Sequence, residues 1–234
     1  MSEKGILMKK DKEISRTEKL AQKTDNFLSS NRKLLIIILV VILLILAGVG
    51  IGITVHSSNV DKKYEELYNL ENSYNNLLVI DESTDEYATA LSDLESDVDA
   101  FLKNNKIDTF LGARATMLLA EVRFLEENWA EAYELSLAIA EAHDDDYFGP
   151  LCYINAAAAA ENNNDASEAL RLYTLVWDTY GVTCPLAPQA LFNQARLENA
   201  NGNTEVARSI FEQLTSEFPS SSYSAIAQSW LLTF

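Results

Sequence analysis

Apolar and polar residues follow a helical spacing along most of the chain after residue 60. Two amphipathic stripes come first, formed by Tyr64, Leu67, Tyr74, Leu77 and Leu78, and then by Tyr87, Leu91, Leu94, Val98 and Phe101. Intervals of three and four residues place each stripe on one face of an α-helix. Sustained alternation of apolar and polar residues is missing, so we expect no β-sheet and an all-α fold.

A long uncharged segment, Leu34 to Val55, precedes these stripes. At about 1.5 Å per residue it would extend about 33 Å as a helix, which is enough to cross a bilayer. A cleaved signal peptide is the alternative, but its apolar core is shorter, about 7 to 15 residues. We therefore predict a single transmembrane helix at residues 34–55 that contacts the lipid bilayer.

Charge differs sharply on the two sides of this segment. Residues 1–33 form a basic leader with nine Lys/Arg and five Asp/Glu, whereas the chain after residue 55 has nine Lys/Arg and thirty Asp/Glu. Because basic residues flank the cytoplasmic end of a membrane helix, we predict a cytoplasmic N-terminus and an extracytoplasmic region from residue 56 to 234. The acidity of that region argues against a nucleic-acid partner and favours basic partners.

Small residues occur in pairs twelve positions apart, and the pairs recur at offsets of 37 and 38 residues. The pairs are Ala120 and Ala132, Ala157 and Ala169, and Ala195 and Ala207, with polar turns around Glu127, Asn164 and Gly202 between their members. Two antiparallel helices that cross closely need a small side chain where the backbones meet and a tight turn between them. The pattern therefore predicts repeated helical hairpins.

This spacing resembles the tetratricopeptide repeat over about residues 113–219, with a period somewhat above the usual 34 residues. It departs from the family pattern where Arg123, Ala160 and Glu198 stand in place of an aromatic residue. The resemblance implies a helical-hairpin solenoid at 105–234, preceded by linking helices at 56–104. Ile226, Trp230 and Leu231 would lie on a C-terminal cap helix that closes the last repeat. An unrelated helical bundle with accidental periodicity is the alternative.

The whole layout also resembles the ancillary Sec translocon subunit family of bacterial inner membranes. The residues that carry this resemblance are Phe101, Asn104, the stretch from Leu118 to Ala120, and the stretch from Trp129 to Ala132. It implies a location in the bacterial inner (cytoplasmic) membrane with periplasmic repeats. It also implies work beside the translocon and periplasmic chaperones on exported polypeptide, and it brings no catalytic residue.

The first helix of each hairpin lines the concave groove of such a solenoid, and a groove can hold an extended segment or a helix. The predicted groove positions are Arg114, Met117, Glu121, Phe124, Leu151, Ile154, Glu161, Gln189, Phe192, Arg196 and Asn199. Alternatively, residues 61–104 fold back into the groove and bury its apolar side chains as core.

Residues that could carry chemistry are few. Cys152 and Cys184 lie at opposite ends of one predicted hairpin, so they could form a disulfide or remain two separate thiols. The run from His143 to Asp146 lacks the spacing of a calcium loop, so we interpret it as a solvated hairpin tip rather than a metal site. We predict no enzyme activity, no metal and no cofactor.

These observations favour a membrane-anchored adaptor that binds other proteins, such as a translocon component, a chaperone or an exported chain. The alternative is an oligomeric scaffold in envelope assembly or division, in which residues 61–82 form a self-associating stalk. Glu71 interrupts the apolar pattern of that stalk.

Overall fold

The computed structural model describes residues 23–24 and 30–234, with the side chains of residues 32, 35, 36, 38, 48 and 50–58 outside the description. Most of the predicted basic leader therefore lies outside the described residues. From residue 32 onward the α-helices are α1 Arg32–Leu77, α2 Asp85–Leu102, α3 Phe110–Leu125, α4 Trp129–Ala142, α5 Phe148–Asn162, α6 Ala166–Tyr180, α7 Ala187–Ala200, α8 Thr204–Glu217 and α9 Ser222–Leu231. The described part contains no strand, which confirms the all-α prediction there.

The chain divides into two compact units, Met1–Val60 and Asp61–Phe234. In the first unit, the described apolar side chains of α1, such as Leu44 and Leu46, are exposed. Among the described residues, none of the helices is long and apolar enough to cross a membrane. The predicted span at 34–55 includes many side chains outside the description, so it stays a prediction.

The second unit is a stack of antiparallel hairpins, α3 with α4, α5 with α6, and α7 with α8, and from α2 onward each helix also packs on the next along the chain. The paired alanines that predicted these hairpins are all buried, from Ala120 at 3 % exposure to Ala207 at 0 %. A buried methyl group at each crossing lets the two backbones approach closely. The predicted repeats are therefore present.

The same backbone turn closes all three of these hairpins. Glu127, Asn164 and Gly202 have φ angles of 56°, 62° and 85°, which is the left-handed conformation that ends many helices. In each case the next residue donates its amide to the carbonyl five positions earlier, as Asn128 does to Arg123 at 2.9 Å. Because the turn chemistry is local, the sequence alone placed these turns correctly.

Residues 61–102 add another pair of helices to the same unit. Leu67, Leu70 and Leu77 of α1 are buried in one cluster with apolar side chains of α2 and α3. Tyr64 contacts Phe110, and Glu71 pairs with Arg114, so this part of α1 runs beside α3 in the same direction. The segment thus extends the stack at the edge formed by α3.

The last helix, α9, covers the end of the stack. Its Trp230 stacks on Phe211 of α8 with ring centroids 5.6 Å apart, and the Ser224 hydroxyl shares its proton between the carbonyls of Phe218, at 2.6 Å, and Leu214, at 3.1 Å. The predicted cap helix is present, but one of its predicted contacts is wrong. Ile226 is 47 % exposed because Ala227 occupies the buried face of this short helix instead.

Candidate functional site

An open cavity of about 500 Å³ lies between α3 and α5. Four of the predicted groove residues line it, namely Arg114, Met117, Glu121 and Leu151. The rest of its lining comes from Phe110, Asp146, Tyr147 and Phe148. We call this space the α3–α5 cavity. Its size lies in the range of typical ligand pockets, about 300 to 1,000 Å³, and its walls combine apolar and charged groups.

Other predicted groove residues serve different roles. Ile154 is buried in the core formed by α5, α6 and α7. Phe124 packs against Trp129, and Phe192 packs against Phe211 and Tyr223. These contacts tie the aromatic rings to neighbouring helices of the same chain, so they leave less of each ring for a partner.

The polar groove residues of α5 and α7 differ in how they are paired. Arg196 makes two hydrogen bonds to the carboxylate of Glu161, at 2.7 and 2.6 Å, which links α7 to α5. Such a two-pronged pair holds both side chains in one geometry. Gln189 and Asn199 are half-buried on α7. The structure thus brings four groove residues into one cavity and places the others along the rest of the stack.

Charge in the α3–α5 cavity is unevenly paired. Arg114 donates from Nε to Glu71 at 2.7 Å, whereas its Nη1 lies 3.5 Å from Glu121 Oε1. Burial raises the pKa of Glu121, and the charge and hydrogen bond of Arg114 only partly lower it. Glu121 is therefore a carboxylate that has lost part of its hydration and gained only a long, 3.5 Å contact with a cation.

Three aromatic side chains, Phe110, Tyr147 and Phe148, line this cavity, and Tyr64 of α1 contacts Phe110. The centroid distances are 6.3 Å from Tyr64 to Phe110, 5.7 Å from Phe110 to Phe148, and 6.3 Å from Phe148 to Tyr147. We call these four rings the aromatic strip. Phe148 is buried, but Phe110 and Tyr147 are 53 % and 66 % exposed. Exposed rings that sit together in this way are typical of interaction surfaces.

His143 anchors the loop that carries Tyr147. Its Nδ1 lies 2.7 Å from Asp146 Oδ2, and its Nε2 lies 2.7 Å from the carbonyl oxygen of Ile107. The other oxygen of Asp146 accepts from the Phe148 amide at 2.7 Å. Both partners of His143 are acceptors, so satisfying both requires the doubly protonated ring. The interpretation of this run as a solvated tip is wrong for His143, which is 7 % exposed.

A second cavity, of about 310 Å³, lies on the other side of Asp146 and Tyr147. Pro150, Tyr180, Cys184 and Leu186 contribute to its wall. Burial raises the pKa of Tyr180 to about 12. The sequence did not predict this cavity, because its lining comes from α5, from the end of α6 and from the segment that precedes α7.

The two cysteines are buried free thiols, so the structure does not contain the disulfide considered above. Cys152 packs in a cluster with Met117, Ile139 and Phe148, whereas Cys184 lies at the second cavity. Burial, with a contribution from nearby acids, raises the pKa of Cys152 to about 12. Within the described residues, no group of three or more His, Cys, Asp or Glu side chains is placed to hold a metal ion.

Comparison with known proteins agrees with this architecture. A family model described as tetratricopeptide repeat matches residues 189–221, which comprise most of α7 and all of α8. The chain carries TPR-like helical repeats. A TPR repeat-containing protein of Treponema pallidum (strain Nichols) is 30 % identical over 122 residues, which are 52 % of this chain and 50 % of that protein. The chain therefore spans about half the length of this relative.

Two solved structures share the fold of the repeats. They are crystal structures of nearly identical TPR-like repeats from a putative kinesin light chain of Podosopora anserina, one of them carrying a single substitution. Their TM-scores are 0.56 and 0.55, each at 16 % identity, and each match covers 73 % of this chain and 83 % of the other. At this identity the likeness concerns the fold of the repeats alone.

Proposed function

We propose that this protein is an interaction module whose repeats bind another polypeptide along the face formed by α3, α5 and α7. The observation that carries the proposal is the α3–α5 cavity, which is open and edged by the exposed rings of Phe110 and Tyr147. An open apolar cavity with a few charged groups can bind side chains of a partner. No reaction is part of this proposal.

We further propose that residues 34–55 tether the module to a membrane, with the repeats outside the cytoplasm. The uncharged segment and the basic leader support this part of the proposal. A tether raises the local concentration of the module, so that a weak contact becomes effective. A role beside the translocon and its chaperones, on exported chains, is supported by the sequence resemblance alone.

A photocrosslinking experiment in intact cells tests the binding face. A photoreactive amino acid is placed at Leu151 or Gln189, on the proposed face, and in matched controls at Ala138 or Arg171, which are exposed on α4 and α6. We expect light-dependent adducts from the first two positions and few from the controls. Equal yields from both pairs would refute binding at this face.

Mass spectrometry of the adducts then tests the finer proposal. Translocon subunits, chaperones or exported chains among them would support it, and their absence would remove it while the binding face stands. Protease treatment of intact spheroplasts tests the topology, because the repeats should be cleaved from outside. Full protection of the C-terminal region would contradict an extracytoplasmic location.

The self-associating stalk is a weaker alternative. Leu67, Leu70 and Leu77 already pack against α2 and α3 of the same chain, so they are not free to join two copies. Analytical ultracentrifugation of the full-length protein distinguishes the two functions, because the scaffold requires a stable homo-oligomer and the adaptor does not.

A further inference from the structure

We propose that the α3–α5 cavity selects polypeptide segments that place a Lys or Arg beside a large apolar side chain, with Glu121 receiving the cation. This inference rests on the proposed function and names the chemistry of its partner.

The position of Glu121 is the first reason. Its side chain is 33 % exposed, and its one ion pair in the described part of the chain is the 3.5 Å contact with Arg114. Glu71 holds the nearer contact with Arg114, at 2.7 Å. A half-buried carboxylate without a close cation is poorly compensated, so a Lys or Arg of a partner would gain a charge-assisted hydrogen bond there.

The apolar wall is the second reason. Met117, Phe148 and Leu151 line the same cavity as Glu121, and Phe110 and Tyr147 are exposed beside them. A volume of about 500 Å³ has room for a large apolar side chain next to the one that meets Glu121. The faces of the exposed rings also attract a cation, which again favours Lys or Arg.

The charge of the surroundings is the third reason. Residues 61–234 contain nine Lys/Arg and thirty Asp/Glu, and Asp144, Asp145 and Asp146 are exposed on the loop before α5. This acidic field attracts basic segments and repels acidic ones. An acidic segment would meet both the acidic field and the carboxylate of Glu121, whose contact with Arg114 is long, so we assign the cavity to a basic segment.

Binding of synthetic peptides to the full-length protein in a mild detergent tests the selection. Three fluorescent peptides of matched length are compared by anisotropy: one combines Lys with Leu, one has Glu in place of each Lys, and one has Ser in place of each Leu. We expect the Lys/Leu peptide to bind about tenfold more tightly than either of the others, with an affinity that falls as salt rises.

Matched variants locate the effect. Glu121→Gln should lower the affinity for the Lys/Leu peptide about tenfold, because it removes a charged hydrogen-bond partner. Glu205→Gln makes the same change of net charge at a side chain that is 89 % exposed on α8, and it should change the affinity less than about twofold. Tyr147→Ala should weaken binding about two- to fivefold, and Tyr147→Phe should not.

Several results would overturn the inference. Equal affinities for the Lys/Leu and Glu/Leu peptides would exclude charge selection, and equal losses from Glu121→Gln and Glu205→Gln would mean that only net charge matters. A gain in affinity on deletion of residues 2–22 would assign the cavity to the basic leader of this chain instead of a separate partner. If Leu151 crosslinks in cells while none of the peptides binds, the chemistry named here is wrong and the proposed function stands. Failure of the crosslinks would remove the proposed function itself.

Discussion

Replacing His143 with Gln tests the contact that joins the loop before α5 to the loop before α3. The histidine ring bridges Asp146 and the carbonyl of Ile107, with both distances at 2.7 Å. Burial alone would lower its pKa, but the hydrogen bonds to Asp146 and to the Ile107 carbonyl outweigh it, so that the pKa is raised above about 6.5. Asp146 and Asp108 are the acids whose charge adds to this increase.

The sign of the pH effect follows from this increase. A group whose pKa is higher in the folded state contributes stability that is complete below the unfolded pKa, near 6.5, and is lost as pH rises through the folded pKa. The neutral ring keeps one N–H, so one of the two bonds is lost. A hydrogen bond to a charged group contributes about 1.5 to 3 kcal/mol, and we take the lower figure because the Asp146 side chain is 46 % exposed.

Thermal unfolding at pH 6 and pH 9 measures the effect. For a domain of this size about 1.5 kcal/mol corresponds to a change in Tm of about 3 to 6 °C. Between pH 6 and pH 9 we expect the Tm of the wild type to fall by about 3 to 6 °C more than the Tm of His143→Gln falls. His56 is the other histidine of the chain and is common to both proteins.

The comparison has a clear refuting outcome. If the wild type and His143→Gln lose the same number of degrees between pH 6 and pH 9, folding does not raise the pKa of His143. If His143→Gln is less stable than the wild type by the same amount at both pH values, His143 stabilises the fold by packing and its charge contributes nothing.

Three further changes test the core, a close backbone approach and the cavity. Phe211 is fully buried, so Phe211→Ala should lower the free energy of unfolding, measured in urea, by about 3 to 5 kcal/mol. Phe110→Ala removes an exposed ring and should lower that free energy far less, and equal decreases would contradict the assigned core. A Cβ at Gly112 would lie 1.8 Å from the carbonyl oxygen of Lys106, so Gly112→Ala should lower the Tm by several degrees. An unchanged Tm would show that the segment around Lys106 can move aside. Glu121→Gln should raise the Tm of the ligand-free protein at pH 7 but not at pH 4, because a carboxyl group with a raised pKa destabilises the fold only at pH values where it is ionised. A lower Tm of the variant at pH 7 would mean that Arg114 fully compensates the charge of Glu121.

The hairpins could be predicted because their causes are local. An alanine at each crossing and a turn residue between its helices lie within one repeat, and neighbouring repeats contact each other in order along the chain. The spacing of Ala157 and Ala169 therefore determined where α5 and α6 cross, and Asn164 marked the turn between them. The presence of a cap helix followed from the same reasoning, since the last repeat exposes apolar surface.

The candidate site could be predicted only in part. The hairpin pattern placed Arg114, Met117, Glu121 and Leu151 on one face, and the structure brings them to one cavity. It gave no sign that Tyr223 would cover part of Phe192, which depends on how α9 returns over the stack. Likewise, the contact between His143 and Ile107 could not be foreseen, because the two residues are 36 positions apart along the chain.

Residue spacing and composition were enough to predict the helices, the hairpin period, the close crossings and the acidic character of the repeats, since each depends on residues near one another in the chain or on overall composition. Which half-buried positions remain open is set by the packing of elements that are distant in the chain. The same packing turns Arg114 toward Glu71, 43 positions earlier, and leaves Glu121 with only a 3.5 Å contact to that arginine. The burial of a side chain and its choice of ion-pair partner depend on which distant elements come together, and the spacing of residues along the chain does not contain that information.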